Sequence, residues 1–144
     1  MKRLKPIALF LIGGAIYITI EILWRGALGS HPTHWTMFVL GGLSFVVIGE
    51  INELFPWDMP IWLQAIVGAV CVILLEFVFG CVLNLWLKLD IWDYSHLPLN
   101  VLGQVCLPFA IAWFGLSFIA IVLDDWLRYW LFNEEKPRYK WTFK

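Results

Sequence analysis

Charge is scarce in this chain, and cysteine scarcer still. Only 15% of the 144 residues are Asp, Glu, Lys or Arg, whereas 61% are hydrophobic and 17% aromatic, with ten tryptophans. A soluble domain is nearer half apolar, so a water-facing globule around a single core is a poor fit. The three cysteines, Cys71, Cys81 and Cys106, fall inside apolar segments without C-x-x-C spacing. That argues for buried, unreactive thiols and against a metal or redox centre. No nucleotide-binding motif is present, and no stretch remains for a separate soluble domain. The basic residues flank apolar runs instead of gathering into a patch, which leaves nucleic-acid binding without support.

What is present is hydrophobicity in runs of about 20 residues, the length that crosses a bilayer. Met1 to Lys5 followed by an apolar run has the look of a signal peptide. The run continues to about Trp24, too long for the apolar core of such a peptide, and no convincing cleavage site follows. The expectation is an uncleaved transmembrane helix over residues 6–24, then further spans over 35–51, 61–85 and 98–123. Asp124 and Asp125 are read as the end of the fourth span. Residues 124–132, rich in Trp, Tyr and Leu, are expected to form an amphipathic helix lying at the interface. Residues 133–144 are expected to form a basic, loosely ordered cytoplasmic tail. The fold class is thus all-α: a four-transmembrane-helix bundle with a C-terminal interfacial helix, one domain over residues 1–132.

Four spans put both termini on one side. That side holds Lys2, Arg3, Lys5, Arg128, Lys136, Arg138, Lys140 and Lys144, against Arg25 and Lys88 on the other. Eight against two predicts cytoplasmic termini by the positive-inside rule. The loops containing His31, His34 and Trp92 then face outward.

The most polar run between two apolar segments is Trp92-Asp93-Tyr94-Ser95-His96-Leu97-Pro98-Leu99-Asn100, continuing to Gly103 and Gln104. Its Trp-Asp-Tyr-Ser core, with Pro98, Asn100, Gly103 and Gln104, resembles the signature of the ABC-transporter type IV, CmpB-like, family of small integral membrane proteins. Glu76 with Phe79-Gly80, and Trp24-Arg25-Gly26, fit the same pattern, and the resemblance covers roughly residues 15–125. It implies a multi-pass protein of the plasma (inner) membrane of a bacterium, and speaks to architecture more than to activity.

Carboxylates inside membrane spans are costly and mark functional candidates. Glu21 and Glu76 each lie 15 residues beyond the inner start of their helix, roughly 22 Å along it at about 1.5 Å per residue. Asn100 and Gln104 are expected at the same depth, in the first turns of the inward-running fourth helix. Arg25, one turn after Glu21, can pair with it or simply cancel its charge. Glu76 has no basic residue within a turn and must stay neutral, share Arg25 or bind something. Asp93 or Ser95 can cap the fourth helix. Pro108 is expected to kink that helix and free the carbonyl of Gln104. Glycines at Gly13, Gly14, Gly41, Gly42, Gly49, Gly68 and Gly80 favour close helix packing over a lined pore. Glu50, Glu53 and Asp58 read as solvated headgroup-level residues. His31, His34 and His96 carry no convincing zinc pattern, and neither a metal nor a cofactor is expected.

The candidate ligand-binding set is therefore Glu21, Arg25, Glu76, Asp93, Tyr94, Asn100 and Gln104. A transport-related role follows first: an oligomeric permease or the membrane component of a transporter, taking a small ion, polar solute or lipid. A membrane-embedded enzyme acting on lipid or lipid-linked substrates at the outer leaflet uses the same groups, though no nucleophile-and-base spacing singles out a reaction. A structural or regulatory subunit, whose polar cluster only fixes helix register, is the third reading. Expected partners are the lipid bilayer and a second copy or another membrane protein.

Overall fold

A computed structural model describes residues 3–143; Lys2 and Lys144, counted above among the charges of one side, lie outside the described residues. Among these, four helical segments are long and apolar enough to cross a membrane, and no sheet forms. They are α1 (Leu4–Leu28), α2 (Thr36–Gly49) extended by the short α3 (Ile51–Leu54), α4 (Ile61–Gly80) prolonged by a wide π-type segment to Trp86, and α5 (Leu107–Phe132). The expected all-helical membrane fold is borne out.

Helix α2 sits in the middle, packed on α1, α4 and α5. Glycine makes the α1–α2 contact close. A Cβ on Gly41 would stand 2.2 Å from the Cβ of Tyr17, and one on Gly13 would stand 2.2 Å from that of Phe45. Each aromatic side chain thus takes the space a methyl would need, as small residues permit between membrane helices. In α4 the buried positions Ile61, Gln64, Ala65, Gly68, Ala69, Val72, Glu76 and Gly80 form one stripe. Trp62, Ile66, Val70, Leu74 and Val78, at every fourth residue, are exposed. An exposed apolar stripe of that length belongs against lipid.

The fourth span corrects two expectations. It begins at Leu107, not near residue 98, because Leu99, Leu102 and Gly103 adopt positive φ (52°, 55° and 72°), which no helix accommodates. Pro108 consequently falls in the first turn, where a missing N–H costs nothing, and it kinks no helix. At the other end Asp124 and Asp125 do not stop the helix. Residues 124–132 continue α5 up to Asn133, whose φ of 55° caps it.

The end bearing both termini is held by a buried ion cluster. Arg128, 2% exposed, meets Asp124 at 2.6 Å, Glu50 at 3.2 Å and Glu53 at 3.4 Å. Asp125 accepts hydrogen bonds from Asn52 (2.6 Å) and from the Tyr139 hydroxyl (2.9 Å). Glu50 and Glu53, expected to be merely solvated, are partners of Arg128. The tail is docked here too. The Ile61 amide donates to the Lys140 carbonyl, Trp62 Nε1 donates to that of Trp141, Lys140 pairs with Asp58, and Lys5 pairs with Glu134. Burial and the neighbouring Asp125 push the Tyr139 phenol well above its usual range, so it donates throughout the physiological range. The Lys140 ammonium holds Asp58 below the usual carboxylate range.

Candidate functional site

At the opposite end the loop from Leu87 to Cys106 is built largely by side chains bonding to backbone. Asn84 Oδ1 accepts from the Ile91 amide (2.7 Å), and Trp92 Nε1 donates to the Gln104 carbonyl (3.0 Å). Asp93 Oδ1 accepts from the Ser95 amide (2.9 Å), a turn of the kind Asp favours. That bond holds the Asp93 carboxyl below its ordinary range. A Cβ on Gly103 would stand 2.7 Å from this same oxygen, and its φ is positive, so glycine is required there twice over.

Asn100 donates to the carbonyls of Ser95 (3.2 Å) and Leu97 (3.0 Å) and accepts from the Gly103 amide (3.1 Å). Gln104 donates to the Leu102 carbonyl and accepts from Asn84, both at 2.9 Å, and fits against α4 only because Gly80 has no side chain. Gln104's own carbonyl is engaged by Trp92 and is not freed by a kink. Asn100 and Gln104 thus spend their hydrogen-bonding capacity on the loop itself.

Of the remaining five candidates, four line one cleft of about 430 Å³ and the fifth, Glu76, lies behind it. Glu21, Arg25, Asp93 and Tyr94 line it, with His31, His96 and the rings of Trp24, Trp92 and Phe109. Arg25 Nε donates to Glu21 (2.7 Å) and Nη2 to the Ile91 carbonyl (3.0 Å), tying α1 to the loop. Thr33 adds a bond to Glu21 at 3.1 Å. Tyr94 stacks on Phe109, centroids 4.6 Å apart and nearly parallel, and its hydroxyl donates to Glu76 Oε1 at 3.2 Å. Burial first, then the nearby Glu76, drives the Tyr94 phenol far above its usual range, so it is the donor. The other carboxyl oxygen of Glu76 accepts from Trp113 Nε1 at 2.9 Å, and Trp113 stacks on Tyr17. Glu76 is 4% exposed: it sits behind the cleft, with Tyr94 between.

Residues 10–142 match the model of the family described as "Putative ABC-transporter type IV". The chain belongs to that family. No solved structure matches it. In this type IV family member, then, the Trp-Asp-Tyr-Ser run is first a folding device, in which Trp92 and Asp93 fasten the loop and Tyr94 joins it to Glu76. Among the described residues no three His, Cys, Asp or Glu side chains converge as metal ligands.

Sequence reasoning missed Trp113, Tyr17 and Thr33. Trp113 lies 37 positions from Glu76, and nothing local sets it apart from nine other tryptophans. The terminal cluster was missed as well. There the Asp124–Arg128 spacing of four was a usable signal, because residues one turn apart on a helix can pair. A second cleft of about 230 Å³ opens beside that cluster, lined by Asn52, Glu53, Trp57, Asp125, Arg128, Glu134 and Glu135.

Proposed function

We propose that this multi-pass membrane protein is a transport-related component whose loop-end cleft is an outward-facing ligand site. It would lie in the plasma (inner) membrane of a bacterium, termini in the cytoplasm. The observation that carries this reading is the route from an open cleft to a buried carboxylate through one phenol: Glu21, Arg25 and Tyr94 at the opening, Glu76 behind. A buried acid in a membrane span with so short a path to solvent is a favoured position for binding a polar solute. Family membership supports the transport connection.

Between the cleft and the terminal cluster the bundle is filled by Ile48, Ala65, Ala69, Val72 and Ile121. A single chain therefore offers no aqueous path across the membrane, and the reading calls for a second copy or a membrane-protein partner.

The test is thermal unfolding of the purified protein in detergent against ions, polar solutes and lipid headgroups. A ligand of the native state raises the melting point by mass action. Arg25→Gln combined with Glu21→Gln, which leaves no unpaired carboxylate behind, should abolish the shift in a protein that still unfolds cooperatively. A broad panel without any shift would sink the cleft as a ligand site. It would favour instead a structural or regulatory subunit, a reading that the Asn84–Gln104 bond and the bonding of Asn100 to the loop backbone also support.

The eight basic residues counted at the terminal end support this orientation. A cysteine placed at Ser95 should react with a membrane-impermeant maleimide on intact cells, and one at Glu135 only after lysis. The reverse pattern would invert the topology and remove the outward-facing cleft.

A further inference from the structure

The faces that form the cleft do not end with it. On α1 the cleft is lined by Glu21, Trp24, Arg25 and Leu28. A second, apolar space is lined by Gly13, Ile16, Tyr17 and Ile20. Together these positions advance by three and one without a break, which makes them one face of one helix. Helix α5 repeats the pattern, with Phe109 in the cleft and Trp113, Leu116, Ala120 and Leu123 in the apolar space. Both helices pack on α2, whose Gly41, Phe45 and Ile48 form the floor, while the backbones of α1 and α5 stay apart and the two helices meet at the Tyr17–Trp113 stack. The result is a furrow between α1 and α5 that begins where the polar cleft stops.

We propose that cleft and furrow form one continuous track for a single zwitterionic phospholipid, headgroup in the cleft and one acyl chain in the furrow. This rests on the reading of the cleft as a ligand site and names its ligand class. Polarity changes along the track as it does along a lipid. At the cleft Arg25, its Nε held by Glu21 and its Nη2 by the Ile91 carbonyl, has Nη1 left to offer a phosphate. Asp93 and the faces of Trp24 and Trp92 suit an ammonium. Below Glu21 the lining turns apolar. The furrow runs from Ile20 to Gly13, about 10 Å at 1.5 Å per residue, a large part of one leaflet's hydrocarbon depth. Its volume of about 90 Å³ accepts a segment of one hydrocarbon chain. A helix, about 10–12 Å across with its side chains, does not fit.

The experiment uses the full-length protein in nanodiscs containing a phosphatidylethanolamine with a diazirine midway along one acyl chain. Adducts are mapped by peptide mass spectrometry. Expected are adducts at Ile16, Ile20, Leu116 and Leu123, about tenfold above those at the lipid-facing Val70, Leu74 and Val78, a ratio worth about 1.4 kcal/mol. Ala120→Phe, which fills the furrow, and Arg25→Gln, which removes the headgroup partner, should each erase that excess. Ligand-free melting points establish that both variants are folded, and Ile16→Trp replaces Ala120→Phe if the latter is not.

Labelling spread evenly over all lipid-facing residues overturns the proposal, as does a furrow signal that ignores Arg25→Gln. The same preparations are melted with O-phosphoethanolamine, the headgroup alone. A headgroup shift that requires Arg25, beside evenly spread labelling, removes the furrow and leaves the cleft reading standing. No shift and no furrow signal removes both.

Discussion

Arg128→Met is expected to destabilise the protein by about 3–5 kcal/mol, the range for removing one partner of a buried ion pair. The guanidinium lies 2.6 Å from Asp124, which is fully buried. Asp124 has nowhere to go: a Cβ on the facing Gly49 would come within 2.5 Å of its carboxyl atoms, and its second oxygen has no hydrogen-bond partner. Without Arg128 that carboxylate is an uncompensated charge inside the bundle. Glu50 and Glu53 contribute much less, since both are nearly half exposed and water can replace the lost contact. The effect should therefore belong to Asp124 alone, and Asp124→Asn in the Arg128→Met background should restore most of it. Breaking the exposed Arg138–Glu135 pair with Glu135→Ala should change stability by under about 0.5 kcal/mol. Detergent melting curves of the four proteins decide the matter. A loss below about 1 kcal/mol for Arg128→Met would mean that water, not the ion pair, satisfies Asp124.

How much of this was legible beforehand differs from element to element, for physical reasons. Four spans follow from apolar runs long enough to cross a bilayer, a property each run carries by itself. The Glu21–Arg25 pair was legible for the same reason: a spacing of four is a local fact, and the pair is present at 2.7 Å. The start of the fourth helix was not, because the loop before it depends on bonds between distant residues. Asn84 from the third span holds the Ile91 amide and the Gln104 carboxamide, and Gly80 provides the space in which Gln104 sits. Pro108 was the local signal for the true start, since proline is at home in the first turn of a helix. The run from Trp126 to Phe132 suggested an interfacial helix by its aromatics. Its single cation, Arg128, is buried by acids from α3 and the preceding turn, and those contacts carry α5 on without a break. Local spacing finds pairs on one helix. It does not find Trp113, which reaches Glu76 across two.

Glu76 provides the second large effect, and its sign depends on which replacement is made. Both of its oxygens accept a hydrogen bond, one from Tyr94 and one from Trp113. An indole N–H can only donate, whereas a phenol can donate or accept. In Glu76→Gln the amide oxygen can face Trp113 and the amide NH₂ can face the Tyr94 oxygen, so both contacts survive with the Tyr94 proton turned away. Stability should stay within about 1 kcal/mol of the parent, the net worth of a typical hydrogen bond. Glu76→Leu keeps approximate bulk but leaves two buried donors with no acceptor, each at about 1–3 kcal/mol, so a loss of about 2–6 kcal/mol is expected. The two variants thus separate shape and hydrogen bonding from charge. Any ligand-induced rise in melting point that depends on the carboxylate should vanish in Glu76→Gln although the fold is kept. If Glu76→Gln proves as damaging as Glu76→Leu, the charge itself holds the bundle together, and Glu76 is a structural acid with no ligand to receive. If Glu76→Gln instead raises stability and leaves every ligand response unchanged, the path from the cleft through Tyr94 leads to no functional group.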